Sequence, residues 1–192
     1  MTTRLTQVFA LAVFIVVAPP AAAATITVDA ERRGATIEIR ASAQLKADAA
    51  TAWRVLTDYD RYPEFIPDLR VSRVVARRGA TVTVEQSGDA TLWLLRIPLD
   101  ITFEITEFPP NRLQSRGVAG SLRAISSSYL LTPAAHGVRL DYAGHVAPGF
   151  ELFGPLEQMA VQQSVARQFQ ALADEIEQRS ASTTEDTATE AR

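Results

Sequence analysis

From Thr36 onward the chain alternates, with Ile37, Ile39, Ala41 and Ala43 set against Thr36, Glu38, Arg40 and Ser42. A period of two marks a strand with one buried face. Residues 25–45 therefore read as strand, bent or turned at Arg32-Arg33-Gly34. Asp48 is placed to cap a helix over 49–57 that buries Ala52, Val55 and Leu56. The aromatic, proline-bearing turn DYDRYPEFIP follows at 58–67. Pro63 and Pro67 fix φ and each removes a backbone donor, so the turn is stiff. A rigid aromatic wedge between helix and sheet suggests the mouth of an apolar cavity, or a plug at the end of a core.

The strand pattern resumes at 69–76, with Arg77-Arg78-Gly79 as its turn. In the next strand Val82, Val84 and Gln86 share a face, and Gly88 is expected to break the run. Trp93, Leu95, Ile97, Leu99, Ile101, Phe103 and Ile105 then occupy one parity of a long segment. Such sustained alternation predicts an antiparallel strand with one wet face, and Pro98 predicts a bulge or an edge. Strands over 112–117, 122–132 and 138–147 complete the sheet. Gly154-Pro155 opens a long amphipathic helix to about 179, with proline in the first turn where its missing donor costs nothing. The order predicts an α+β domain. It is a curved antiparallel sheet wrapped around one long C-terminal helix, with short helices after the first strand. A tunnel between sheet and helix is the default geometry of a small-molecule site.

The first 24 residues stand outside that domain. Arg4 precedes an apolar run of eleven residues, 8–18, and Ala22-x-Ala24 fits a cleavage site. This is the pattern of a secretory signal peptide, cleaved or retained as an anchor, and the run is too short for a spanning helix. The expected organisation is a signal peptide at 1–24, one domain at 25–179, and a disordered polar tail at 180–192. The expected location is periplasmic.

The net charge of −3 at pH 7 argues against nucleic acid as a partner and leaves no polybasic patch for anionic lipid. With no cysteine there is no disulfide, thiol nucleophile or thiolate metal site. The two histidines, His136 and His145, fall in a turn and on a wet strand face, and no metal or cofactor is expected. Ser126-Ser127-Ser128 reads as small-residue strand packing, since no nucleophile elbow surrounds it.

Residues 52–59 (AWRVLTDY), 62–67 (YPEFIP), Ser72-Arg73-Val74 and Val84-Glu85-Gln86 resemble the START-like (SRPBCC) superfamily. Within it they are similar to the polyketide cyclase/dehydrase and coenzyme Q-binding branch. Gly120 followed by Tyr129-x-Leu131 is similar to a later family strand, with Tyr in place of Trp. The resemblance implies a helix-grip fold with a deep apolar cavity. It also implies a lipid, isoprenoid quinone or polyketide-like ligand, carried or cyclised, with transient membrane contact for ligand exchange. An export signal departs from the usual quinone-binding context.

On this layout Trp53, Phe65, Trp93, Phe103, Phe150, Phe153, Met159 and Phe169 line the cavity. Gln86 serves a ligand or neighbouring backbone. Arg123 holds a carbonyl or anionic head group or lies at the surface. Tyr129 and Tyr142 each offer a hydroxyl or complete a wall. Asp58 and Tyr59 belong to the turn's own hydrogen bonding. The leading expectation is an exported, non-catalytic carrier of a hydrophobic small molecule. The alternatives are a cyclase or dehydratase using Arg123, Gln86 or a tyrosine, and a protein-interaction module.

Overall fold

In a computed structural model, residues 24–92, 95–147 and 154–190 are described. Residues 1–23, nearly all of the segment expected to be a signal peptide, lie outside them, as do Trp93, Phe150 and Phe153. The alternating segments become eight antiparallel strands: β1 (Thr25–Arg33), β2 (Thr36–Leu45), β3 (Leu69–Arg78), β4 (Thr81–Leu92), β5 (Leu95–Phe108), β6 (Arg112–Gly120), β7 (Ala124–Ala134) and β8 (Gly137–Ala147). They form one sheet in the order β1-β2-β8-β7-β6-β5-β4-β3. The sheet curves but does not close, so β1 and β3 are its edges. Helix α1 (Ala49–Leu56), a 3-10 turn (Tyr59–Arg61) and α2 (Tyr62–Phe65) link β2 to β3, and α3 (Gly154–Glu190) follows β8. This is the helix-grip architecture.

Local chemistry accounts for the boundaries. The Asp48 carboxylate accepts the Thr51 N–H at 2.8 Å and so caps α1. The Thr51 hydroxyl, and then that backbone hydrogen bond, hold the Asp48 carboxyl below the usual carboxylate range. Pro98 pairs with Asp89 of β4, whereas β6 meets β5 only from Ile101 onward. Proline therefore sits where β5 has a partner on one side.

Gly88 does not end β4, which runs through it to Leu92. A Cβ at this position would lie 2.4 Å from the Asp68 carbonyl oxygen. The glycine admits a close backbone approach while keeping the ladder. The C-terminal helix likewise runs past 179 to Glu190, where a disordered tail was expected.

Two packed regions hold the helix to the sheet. Phe169, Leu172, Ala173 and Ile176 of α3 are buried with Leu45, Val55, Leu56, Tyr59, Val84 and Leu140. A smaller cluster gathers Ile37, Ile39 and Val146, with Val161 and Val165 of α3 packed against it. Arg179 fastens the helix one turn beyond Ile176. It donates to Asp58 at 2.7 Å and to Glu175 at 2.6 Å, and its guanidinium lies 5.7 Å from the Phe65 ring centroid.

Candidate functional site: an apolar cavity under the C-terminal helix

Between the sheet and the first half of α3 lies a cavity of about 270 Å³. Its floor is largely one face of one strand, because Ile97, Leu99, Ile101, Phe103 and Ile105 are alternate residues of β5. Its roof is one face of one helix: Ala160, Val161, Ser164, Val165, Gln168 and Leu172 recur at helical spacing along α3. Leu113, Ile125, Tyr129, Tyr142 and Val146 close the inner side, and Tyr59, Tyr62 and Ile66 close another.

Few polar groups interrupt these walls. Ser115 of β6 and Ser127 of β7 stand opposite each other in register, and their hydroxyl oxygens are 2.7 Å apart. Tyr142 of β8 brings its phenol toward Ser127, its ring lying along its own strand over Gly144. A Cβ on Gly144 would lie 2.4 Å from the phenol oxygen. Burial pushes the Tyr142 phenol up to about 12, with the Ser127 hydroxyl, in hydrogen-bonding reach, pulling the other way. Tyr129 lies across the ladder from Tyr142, ring centroids 4.9 Å apart. Burial raises its phenol first, then the neighbouring Tyr142 and Tyr62, and no hydrogen bond offsets this. These phenols stay protonated at neutral pH and act as donors.

Carboxylates mark three further polar positions. Asp68, at φ 64°, gives its carbonyl to the Asp89 N–H at 2.8 Å. Its carboxylate accepts from Arg167 of α3 at 3.0 Å, which ties the roof to the loop before β3. Asp89 pairs with Arg70. Glu157, only 5% exposed, pairs with Arg32 of β1. Gln86 lines the cavity and donates to Ser72 Oγ at 3.2 Å, a protein partner rather than a bare amide.

Of the residues read from the sequence, Gln86, Phe103, Tyr129 and Tyr142 meet at the cavity wall. Trp53 and Phe65 are half-buried against the main core, and Phe169 is buried in it. Met159 is half-buried on α3 and, like these three, lies off the cavity wall. Being aromatic or apolar identified them as interior, but interior here divides into core and cavity.

Arg123 is exposed in the connection between β6 and β7, beside a separate surface hollow of about 120 Å³. Its inward parity assumed a strand from 122, whereas β7 starts at Ala124, so the alternation does not extend to Arg123. Asp58 and Tyr59 do bond within their turn, their carbonyls accepting from the Arg61 and Tyr62 N–H groups, while their side chains also reach out of it. Tyr59 donates to Glu107 of β5 at 3.1 Å, and Asp58 accepts from Arg179 of α3.

Both histidines are exposed. Among the described residues no group of His, Cys, Asp and Glu is arranged to hold a metal ion, and no helix is long and apolar enough to cross a membrane. Sequence reasoning missed Ser115, Ser127 and the three carboxylates. Ser127 shares the parity of Ile125 and Tyr129, which was a usable signal. The carboxylates depend on distant packing and gave none.

The fold recurs among solved structures. A STAR-related lipid transfer protein from Xanthomonas axonopodis is similar at a TM-score of 0.65 and 19% identity, over 79% of this chain and 93% of that one. A START superfamily protein from Mycobacterium smegmatis follows at 0.57 and 13%, over 82% and 98%. An aromatase/cyclase from a Streptomyces species stands at 0.58 and 12%, over 82% and 94%. No curated protein matches the sequence significantly. The model of the family described as polyketide cyclase/dehydrase and lipid transport matches residues 36–181, so it spans all but β1 of the sheet and most of α3. The chain belongs to that family.

Proposed function

We propose that this chain is an exported carrier of a hydrophobic small molecule, such as a lipid, an isoprenoid quinone or a polyketide-like compound. The observation that carries the reading is the apolar cavity of about 270 Å³ between β5 and α3, near the lower end of small-molecule sites. A well-packed core leaves few voids larger than a water molecule. Burying one large apolar side chain is worth about 1.5–3 kcal/mol, and a ligand covering this wall recovers part of what an empty cavity forfeits. Family membership and structural likeness to a lipid transfer protein support the same reading. Export rests on the pattern of residues 1–24.

Native mass spectrometry of the full chain expressed in a bacterium, with solvent extraction of what co-purifies, tests this reading. The expected result is a protein released from the cell envelope, starting at Thr25 and holding one apolar molecule per chain. Protein that stays cytoplasmic removes export. Protein that is empty, and that no lipid, quinone or polyphenol stabilises against heat, removes the carrier.

A second reading is a cyclase or dehydratase, favoured by the hydroxyl row Ser115, Ser127 and Tyr142, whose donors can polarise a ligand carbonyl. Returning the extracted compound to fresh protein separates the two. A carrier gives it back unchanged, and an enzyme converts it.

A further inference from the structure

The charges that line the cavity are all of one sign. Asp68, Asp89 and Glu157 are present, and no Lys, Arg or His is among the described lining residues. The undescribed stretches 93–94 and 148–153 contain no cationic residue either. The arginines that pair with the three carboxylates are Arg167, Arg70 and Arg32, and none of them lines the cavity. An anionic head group entering here would lose its hydration, meet no cation, and approach carboxylates before their partners.

Neutral polar groups find a different reception. Ser115, Ser127 and Tyr142 carry three hydroxyl protons; the Ser115–Ser127 bond uses one, and a bond between Tyr142 and Ser127 would use a second. One O–H and several lone pairs remain. Tyr129 adds a phenol on the cavity wall with no hydrogen bond to a described residue, although a buried tyrosine hydroxyl ordinarily has a partner.

We propose that the cavity selects an uncharged apolar molecule bearing a hydroxyl or carbonyl group, and discriminates against the carboxylate of equal apolar size. The inference rests on the carrier reading and names the ligand class for the same site. It makes the cavity one for alcohols, esters, ketones or quinones rather than for fatty acids. The polar end of the ligand lies against Ser127 and Tyr129, and its apolar body lies along β5.

The test is displacement of a neutral fluorescent probe, N-phenyl-1-naphthylamine, from the full chain by 1-decanol, methyl decanoate and decanoate. It is run at about pH 8, where a fatty carboxylate is ionised. Decanol and the methyl ester are expected to displace the probe at concentrations at least about tenfold below decanoate. Placing a cation on the roof, Ser164→Lys, should narrow that gap. The double change Ser127→Ala with Tyr129→Phe should weaken decanol by more than it weakens the probe.

Decanoate competing as well as decanol overturns the inference and leaves the carrier reading standing. No binding of the probe or of any competitor overturns the carrier reading, and the inference with it. A gap that Ser164→Lys leaves unchanged, in protein that folds, shows that lining charge does not set the selection and also counts against the proposal. If that variant does not fold, the wild-type comparison decides.

Discussion

Tyr142 and Gly144 form a unit two residues long. The ring lies over the glycine because nothing projects there, and an alanine Cβ would meet the phenol oxygen at 2.4 Å and ring carbons at 2.8 and 3.0 Å. Gly144→Ala must therefore swing the ring into the cavity. It is expected to cost about 1–3 kcal/mol in chemical denaturation and to weaken binding of an apolar probe. Unchanged stability and binding would show that the ring has another resting place.

The same phenol sets an alkaline limit. Its folded value, pushed up to about 12, exceeds the ordinary 10, so its contribution is complete below pH 10 and is lost as pH rises toward 12. Tyr59, Tyr62 and Tyr129 are shifted in the same direction, with burial as the first cause, and these four are all the tyrosines of the chain. Phenolate absorbance should therefore appear in one cooperative step, together with loss of the circular dichroism of the fold. A gradual rise around pH 10 in folded protein would reveal a phenol in contact with water.

At the scale of elements, α3 is two helices in one. Its middle buries Phe169, Leu172, Ala173 and Ile176 in the core, and Arg179 ties it to Asp58. Its earlier turns are half-buried over the cavity, held by Gln158, Gln162 and the Arg167–Asp68 pair. Fewer buried apolar contacts mean a lower local opening free energy. Amide exchange should be faster across 157–168 than across 169–178, and a bound ligand should slow the first stretch selectively. Equal protection along the helix would place the entrance elsewhere.

Element identity was the most legible part of the sequence. Strict alternation in β2, β5 and β8 assigned both strand and face, because one residue of slip would turn every side chain of a strand over. The ends were harder to read. Gly88 looked like a stop and is instead an approach point for Asp68, a contact made between distant parts of the chain.

For the whole molecule, the order of elements was enough to imply a sheet gripping a helix, because segregated helices must cover one face of an antiparallel sheet. The division of the interior was not legible in this way. Phe103 and Phe169 are the same residue type on inward faces, yet one faces the cavity and the other fills the core. Only the path of α3 across the sheet decides between them. The all-acidic lining was equally hidden, since Asp68, Asp89 and Glu157 come from three separate parts of the chain.

The two edges of the open sheet are guarded by different means. β3 carries Arg70, Arg73, Arg77 and Arg78, charges that discourage pairing with another chain. β1 relies on the roof helix: Gln158 and Gln162 donate to the carbonyls of Ala30 and Val28 at 2.8 and 3.0 Å, taking the place of a ninth strand. On the carrier reading, lifting the roof to admit a ligand would therefore also bare a strand edge. A molecule opened in this way would be able to pair with a second copy of itself, whereas an occupied, shut one would stay solitary.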